Sequence, residues 1–161
     1  MTASQDHTYY KHFKVLYCTD FSENADIAFR YALDFAMRTP SAELIILHII
    51  PEPEAQFWKT YIYEIEGIDE KAKKDIDDRI MKQYLSKIPP ELSVRVEIKI
   101  GRDYQEILKF ASEEKVDLIV IGRRGHSTWE KPFFGSVAER VVRRAECPVL
   151  VVPRTAKMNK S

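Results

Sequence analysis

The sequence predicts an α/β fold: a doubly wound sheet of five parallel strands, with helices on both faces. Strand and helix patterns alternate along all of the 161 residues except the two ends. Strand candidates such as Leu118-Ile119-Val120-Ile121 are apolar throughout. A glycine-punctuated loop joins that strand to the next helix: Gly122-Arg123-Arg124-Gly125, then nine residues, then Gly135-Ser136.

Val15-Leu16-Tyr17-Cys18 reads as the first strand. Thr19-Asp20-Phe21-Ser22 has turn and N-cap character. A helix pattern runs over residues 23–37, with apolar positions at Ile27, Ala28, Tyr31, Ala32 and Phe35. The second strand is 44–50, stopped by Pro51 and Pro53. Residues 54–68 hold Phe57, Trp58, Tyr61 and Tyr63 without a clear period. A charged helix follows over 69–87, with Ile76, Ile80, Tyr84 and Leu85 on its apolar stripe, and Pro89-Pro90 ends it. Residues 92–100 alternate: Val94, Val96, Ile98 and Ile100 point one way, Arg95, Glu97 and Lys99 the other. That period marks a half-exposed strand at a sheet edge. Asp103 and Glu106 form a capping-box pattern that opens a helix to residue 114. The fourth strand is 118–121, and a helix runs over 136–144. Pro148 introduces the last strand, Val149-Leu150-Val151-Val152, and Pro153 closes it.

This order fits a Rossmann-like sheet, strand order 3-2-1-4-5. One domain is expected over 13–153, with a flexible N-terminal segment (1–12) and a flexible basic tail (154–161). Basic and acidic residues balance at 25 each, which gives no electrostatic reason to expect nucleic acid or an acidic membrane as partner. No apolar run reaches bilayer length, and residues 1–12 lack the apolar core of a signal peptide. A cytoplasmic protein is the expectation. Cys18 and Cys147 are expected to be reduced and packed as small apolar groups.

A strand, a glycine loop and a helix start together make a site for a phosphate chain. Glycines let backbone N–H groups approach an anion, and the helix start adds unpaired donors and partial positive charge. Thr19 and Asp20 end the first strand at the same carboxyl edge, so both groups face one crevice if strands one and four are neighbours. Neither Gly-Lys-Ser/Thr nor Gly-x-Gly-x-x-Gly occurs, which weakens P-loop and dinucleotide readings. Asp20 alternatively only caps a turn, Ser136 only a helix. Arg123 or Arg124 reaches phosphate or stays in solvent, and His126 is divided in the same way. His48 inside an apolar run reads as a hydrogen-bonded core histidine rather than a metal ligand. Trp58, Tyr61 and Tyr63 pack over the sheet end or form a lid. No catalytic set of residues is recognisable. The last strand is apolar on both faces yet lies at an edge, which points to a twofold homodimer through residues 149–152.

Over residues 14–152 the chain resembles the nucleotide-binding type of the universal stress protein family. Gly122, Gly125, Gly135 and Ser136 fit the family's phosphate-binding pattern without insertion. Val15 to Ser22 looks like its opening strand and turn, Leu47-His48-Ile49-Ile50 like its second strand, and Cys147 to Pro153 like its closing strand. The resemblance implies ATP with a divalent cation, magnesium. It places Thr19 and Asp20 near adenine and ribose, and Ile49 against the adenine. Gly122, Arg123 and Gly125 would line ribose and phosphates, with Gly135, Ser136 and Val137 holding phosphate at the helix start. It also implies dimerisation through the last strand. Cys18 stands where many ATP-binding members have proline, and Lys131-Pro132-Phe133-Phe134 is a bulkier approach to Gly135 than the usual aliphatic pair. Three functions fit: an ATP-binding stress-response or signalling module, a slow ATPase or phosphotransferase at the same site, and a nucleotide-independent dimeric interaction module.

Overall fold

Apolar residues on both sides of a strand require cover on both sides, and the chain supplies it. The computed structural model describes residues 12–51, 66–125 and 135–159, with 66–69 described by backbone alone. Strands β1 (Lys14–Thr19), β2 (Glu43–Pro51), β3 (Ser93–Gly101), β4 (Leu118–Gly122) and β5 (Val149–Val152) form one parallel sheet in the order β3-β2-β1-β4-β5. Val15 pairs with Leu44 on one side and Leu118 on the other, and Ile119 pairs with Val149. The expected fold class and strand order are those observed.

Alternation along the strands sorts the core into two layers. Val15, Tyr17, Leu44, Ile46, Leu118 and Val120 face α1 (Glu23–Arg38) and α2 (Glu66–Gln83). Leu16, Cys18, Ile45, Leu47, Ile119 and Ile121 face α3 (Asp103–Glu113) and α4 (Ser136–Arg144). Ser22 caps α1, its Oγ accepting from the Ala25 N–H at 3.1 Å. Ala28, Phe29, Ala32 and Ala36 form the buried stripe of α1, its alanines small enough to bring the helix close to the sheet. Among the described residues no helix is long and apolar enough to cross a membrane.

Three local expectations change. The charged helix starts earlier and ends at Gln83, and a 3-10 turn (Leu85–Lys87) follows it. Asp103 is the first helical residue rather than the cap. The cap is Arg102, and Asp103 Oδ1 accepts from the Tyr104 N–H at 2.8 Å, so the capping box does not form. On β3 the exposed residues beyond Ser93 are apolar: Ile100 is 61% and Val94 36% exposed, while Val96 and Ile98 between them pack against the first core layer. The opposite face is partly covered. Arg95 binds Glu114 at 2.6 Å, Glu97 at 3.2 Å and Glu43 at 3.3 Å, with its guanidinium 5.8 Å from the Phe110 ring centre. Ion pairing and the aromatic ring let charged stems serve as cover at an edge. The segment after β5 returns to α1, where Arg154 pairs with Glu23 at 2.7 Å and Ala156 packs on the first core layer.

Ile45 is fully buried at the centre of β2. Ile45→Ala is expected to cost about 3 kcal/mol of stability with an unchanged urea m-value. A loss under about 1 kcal/mol would mean that the surrounding layer collapses into the gap.

Candidate functional site

The site begins at the end of β1. Thr19 is buried, and its Oγ1 accepts from the Phe21 N–H at 3.0 Å. The Tyr84 hydroxyl donates to Asp26 Oδ1 at 2.8 Å, so Thr19 donates to Tyr84 across 2.7 Å. Burial pushes the Tyr84 phenol up to about 12, and it keeps its proton. Phe21 takes a left-handed φ of 62° that turns the chain from strand to helix. Asp20 Oδ1 accepts from the Ser22 N–H at 2.9 Å, the turn role open to it from sequence. Its other oxygen faces the glycine loop: a Cβ on Gly125 would collide with Asp20 Oδ2.

The loop after β4 is fixed from two sides. The Arg123 N–H donates to Val152 O at 2.8 Å, and Arg123 O accepts from the Gly135 N–H at 2.8 Å. A Cβ on Gly135 would lie 3.2 Å from Arg123 O and from Arg124 Cα, so close approach requires glycine there. Gly135, not Ser136, holds the N-cap position of α4, and no side chain caps that helix. Ser136 is the first helical residue, which corrects its reading as an N-cap. The N–H groups of Ser136, Val137 and Ala138 therefore have no partner within the helix.

These elements enclose a cavity of about 250 Å³. It lies at the carboxyl ends of β1 and β4, where strand order reverses. All nine residues singled out by sequence line it: Thr19, Asp20, Ile49, Gly122, Arg123, Gly125, Gly135, Ser136 and Val137. Cys18, Leu47, Ile107 and Ile121 add apolar wall, and Arg124 and Asp103 add charge. Sequence reasoning missed Asp103 and Ile107 as wall residues. Their signal was position, since α3 starts from the same carboxyl edge. Arg123 Nε is buried and has no hydrogen-bond partner among the described residues. A buried guanidinium nitrogen without an acceptor is costly, and an anionic ligand would supply one. Cys18 is a free thiol whose burial pushes its pKa up, so it presents apolar surface to the cavity.

His48 stands within β2, three residues before its end, and is not part of the cavity wall. Its Nδ1 is 2.8 Å from Thr19 O, and its ring centre is 4.5 Å from that of Phe21. It is the hydrogen-bonded histidine that its apolar run suggested. Trp58, Tyr61, Tyr63, His126 and the segment 131–134 lie outside the described residues.

With this geometry, the comparisons agree with one another. The sequence model of the Universal stress protein family matches residues 12–153. The universal stress protein MJ0577 of Methanocaldococcus jannaschii is 32% identical over 154 residues, covering 88% of this chain and 94% of that protein. The solved structure of MJ0577 matches with a TM-score of 0.73 over 91% of this chain and 99% of that one. Two more distant structures share the fold. One is a universal stress protein in complex with cAMP, 24% identical, with a TM-score of 0.58 over 87% of this chain and 96% of that one. The other is a universal stress protein family member from Arabidopsis thaliana with AMP bound, 20% identical, with a TM-score of 0.55 over 89% of this chain and 93% of that one.

Burial holds the His48 imidazole pKa below its ordinary value, against the pull of the Thr19 carbonyl. The unfolded chain then binds the extra proton first. Stability is full above about pH 6.5 and declines as pH falls from there toward the folded pKa, by at most about 1.4 kcal/mol per pH unit. His48→Gln is expected to flatten that decline. Urea midpoints followed from neutral to acid pH check it, and equal slopes in both proteins would remove His48 as the cause.

Proposed function

Because the chain belongs to the universal stress protein family, we propose that its carboxyl-edge cavity binds ATP with magnesium. In this reading the protein is a cytoplasmic stress-response module whose occupancy alters the surface it offers to partners. One observation carries the reading. The start of α4, which no side chain caps, and Arg123, whose buried Nε has no hydrogen-bond partner among the described residues, both line the cavity beside a glycine loop that a side chain would crowd, over an apolar floor. Adenine would lie on Ile49, with Thr19 and Asp20 toward the ribose. Gly122, Arg123 and Gly125 would follow the ribose and phosphates. Gly135, Ser136 and Val137 would hold phosphate through backbone N–H groups and the Ser136 hydroxyl.

The volume, about 250 Å³, is slightly below the usual range for small-molecule sites, which suits a base and sugar with phosphates lying over the loop. Magnesium is commonly held by phosphate oxygens, water and one or two carboxylates. The cavity fits that requirement, with Asp20 and Asp103 as its carboxylates. Among the described residues no group of three His, Cys, Asp or Glu side chains stands ready as a metal cage, so the cation would arrive with the nucleotide.

Calorimetric titration of nucleotide-free protein with Mg·ATP is expected to give about one site per chain. Saturation at a hundredfold excess over Kd should add about 2.7 kcal/mol of stability. Gly125→Val, whose side chain would displace the Asp20 carboxylate, is expected to weaken ATP at least about tenfold. Unaltered affinity would remove the loop from the site. No binding by the folded wild type would favour the nucleotide-independent module. Phosphate release that scales with protein and is lost in Gly125→Val would favour the slow ATPase.

The edge strand β5 suits a homodimer, because Val149, Leu150 and Val151 are only partly covered within one chain. Sedimentation at micromolar concentration is expected to show a dimer, and Val151→Arg a monomer. A wild-type monomer under those conditions would sink the interface.

A further inference from the structure

We propose that Asn24 is a positioning residue that ties the exit of the edge strand β5 to the phosphate loop. The inference rests on the ATP reading of that loop for its functional consequence. Its geometric part stands alone.

Asn24 is the second residue of α1, a place where a polar side chain normally meets water. Here it is 3% exposed. Both ends of its amide are used. Nδ2 donates to Val152 O at 2.9 Å, and Oδ1 accepts from the Arg124 N–H at 3.0 Å. The first partner is the last residue of β5, and the second lies inside the glycine loop. Gly122 presses on the same residue, since a Cβ there would lie 3.2 Å from the Asn24 backbone and from its Cγ. Val152 O also accepts from the Arg123 N–H, so two bonds converge on one carbonyl.

The consequence follows along the loop. With the Arg124 N–H held by Asn24, the peptide between Arg123 and Arg124 has a fixed plane. Its carbonyl, Arg123 O, then accepts from the Gly135 N–H, which sets the start of α4. A hydrogen-bonded path thus runs from β5 through Asn24 and the loop to the N–H groups proposed to hold phosphate. The path needs one donor and one acceptor at fixed places. An amide supplies both, a neutral carboxyl supplies both, a carboxylate only accepts, and an alkyl group supplies neither.

The test uses Asn24→Leu and Asn24→Asp in the full chain. In ligand-free protein near neutral pH, the Arg124 amide is expected to exchange with deuterium about tenfold faster in Asn24→Leu than in wild type, and within about twofold of wild type in Asn24→Asp, whose carboxylate still accepts from it and loses only the donor to Val152 O. Mg·ATP affinity should fall about tenfold in both, while adenosine, which has no phosphate for the loop and the α4 start to hold, stays within about twofold. Below about pH 5 the aspartate regains its proton, helped by burial, and Asn24→Asp should recover ATP affinity relative to wild type at the same pH. Asn24→Leu should not recover. An unchanged Arg124 exchange rate in Asn24→Leu, or equal losses for ATP and adenosine, would overturn the proposal. If Asn24→Leu fails to fold, Asn24→Asp on its own decides through its pH dependence. Wild type that binds no Mg·ATP would defeat the ATP reading and the functional consequence, and the exchange rate would still decide the positioning.

Discussion

The carboxyl edge of the sheet depends on one turn, residues 19–24, which is held from inside. The buried polar side chains of the described core are Thr19, Ser22 and Asn24, and all three lie in that turn. Burying such groups is unfavourable unless each finds partners, and each does. Thr19 holds Phe21 and Tyr84, Ser22 caps α1, and Asn24 holds Arg124 and Val152. Polar burial is thus spent where the backbone must leave strand geometry within a few residues. Phe21 shows the strain of that change in its positive φ, and the surrounding bonds over-determine it.

The turn matters because of what lies across from it. After β1 the chain crosses to the face of Tyr17 and Val120, where α1 packs. After β4 it crosses to the face of Leu16 and Ile121, where α4 packs. Two adjacent parallel strands that leave in opposite directions open a crevice between their ends. The crevice would fill with side chains if the loop carried them. Gly125 against Asp20, and Gly135 against Arg123, keep it open and bring backbone donors to its rim. Apolar residues of the second core layer form its floor, so the strand alternation that builds the core also builds the site.

Most of this was legible in the sequence because it is written in local patterns. Apolar runs, alternation and punctuation by proline and glycine are properties of neighbouring residues. They gave the strands, the glycine loop and the crevice at the end of the first strand, and the resemblance to a known family supplied the full set of nine cavity residues. What was missed is relational. Asn24 reads as an ordinary polar residue in the first turn of an amphipathic helix, and only tertiary packing turns it inward. Asp103 and Glu106 have capping-box spacing, yet the helix starts one residue earlier because Arg102 already takes the cap backbone conformation. On β3 the alternation was read correctly and its exposure was not. Arg95, Glu97 and Lys99 gain cover from Phe110 and Glu114, which come from a helix whose placement the strand does not encode.

The same relational bonds decide how two distant properties of the fold affect each other. Val152 ends the edge strand and accepts both the Asn24 amide and the Arg123 N–H. Any partner that pairs with β5 therefore acts on the strand whose last carbonyl anchors the glycine loop. The glycine loop is tied to the same carbonyl from the other side, through the Arg123 N–H. Coupling between sites is a difference in free energy, and it is reciprocal for binding. If an anion bound at the loop orders the strand end for pairing, pairing must return the same factor to the anion. Such coupling needs no large movement. It requires only that Val152, Asn24 and Arg124 be ordered together or loosened together, which their shared, buried hydrogen bonds favour.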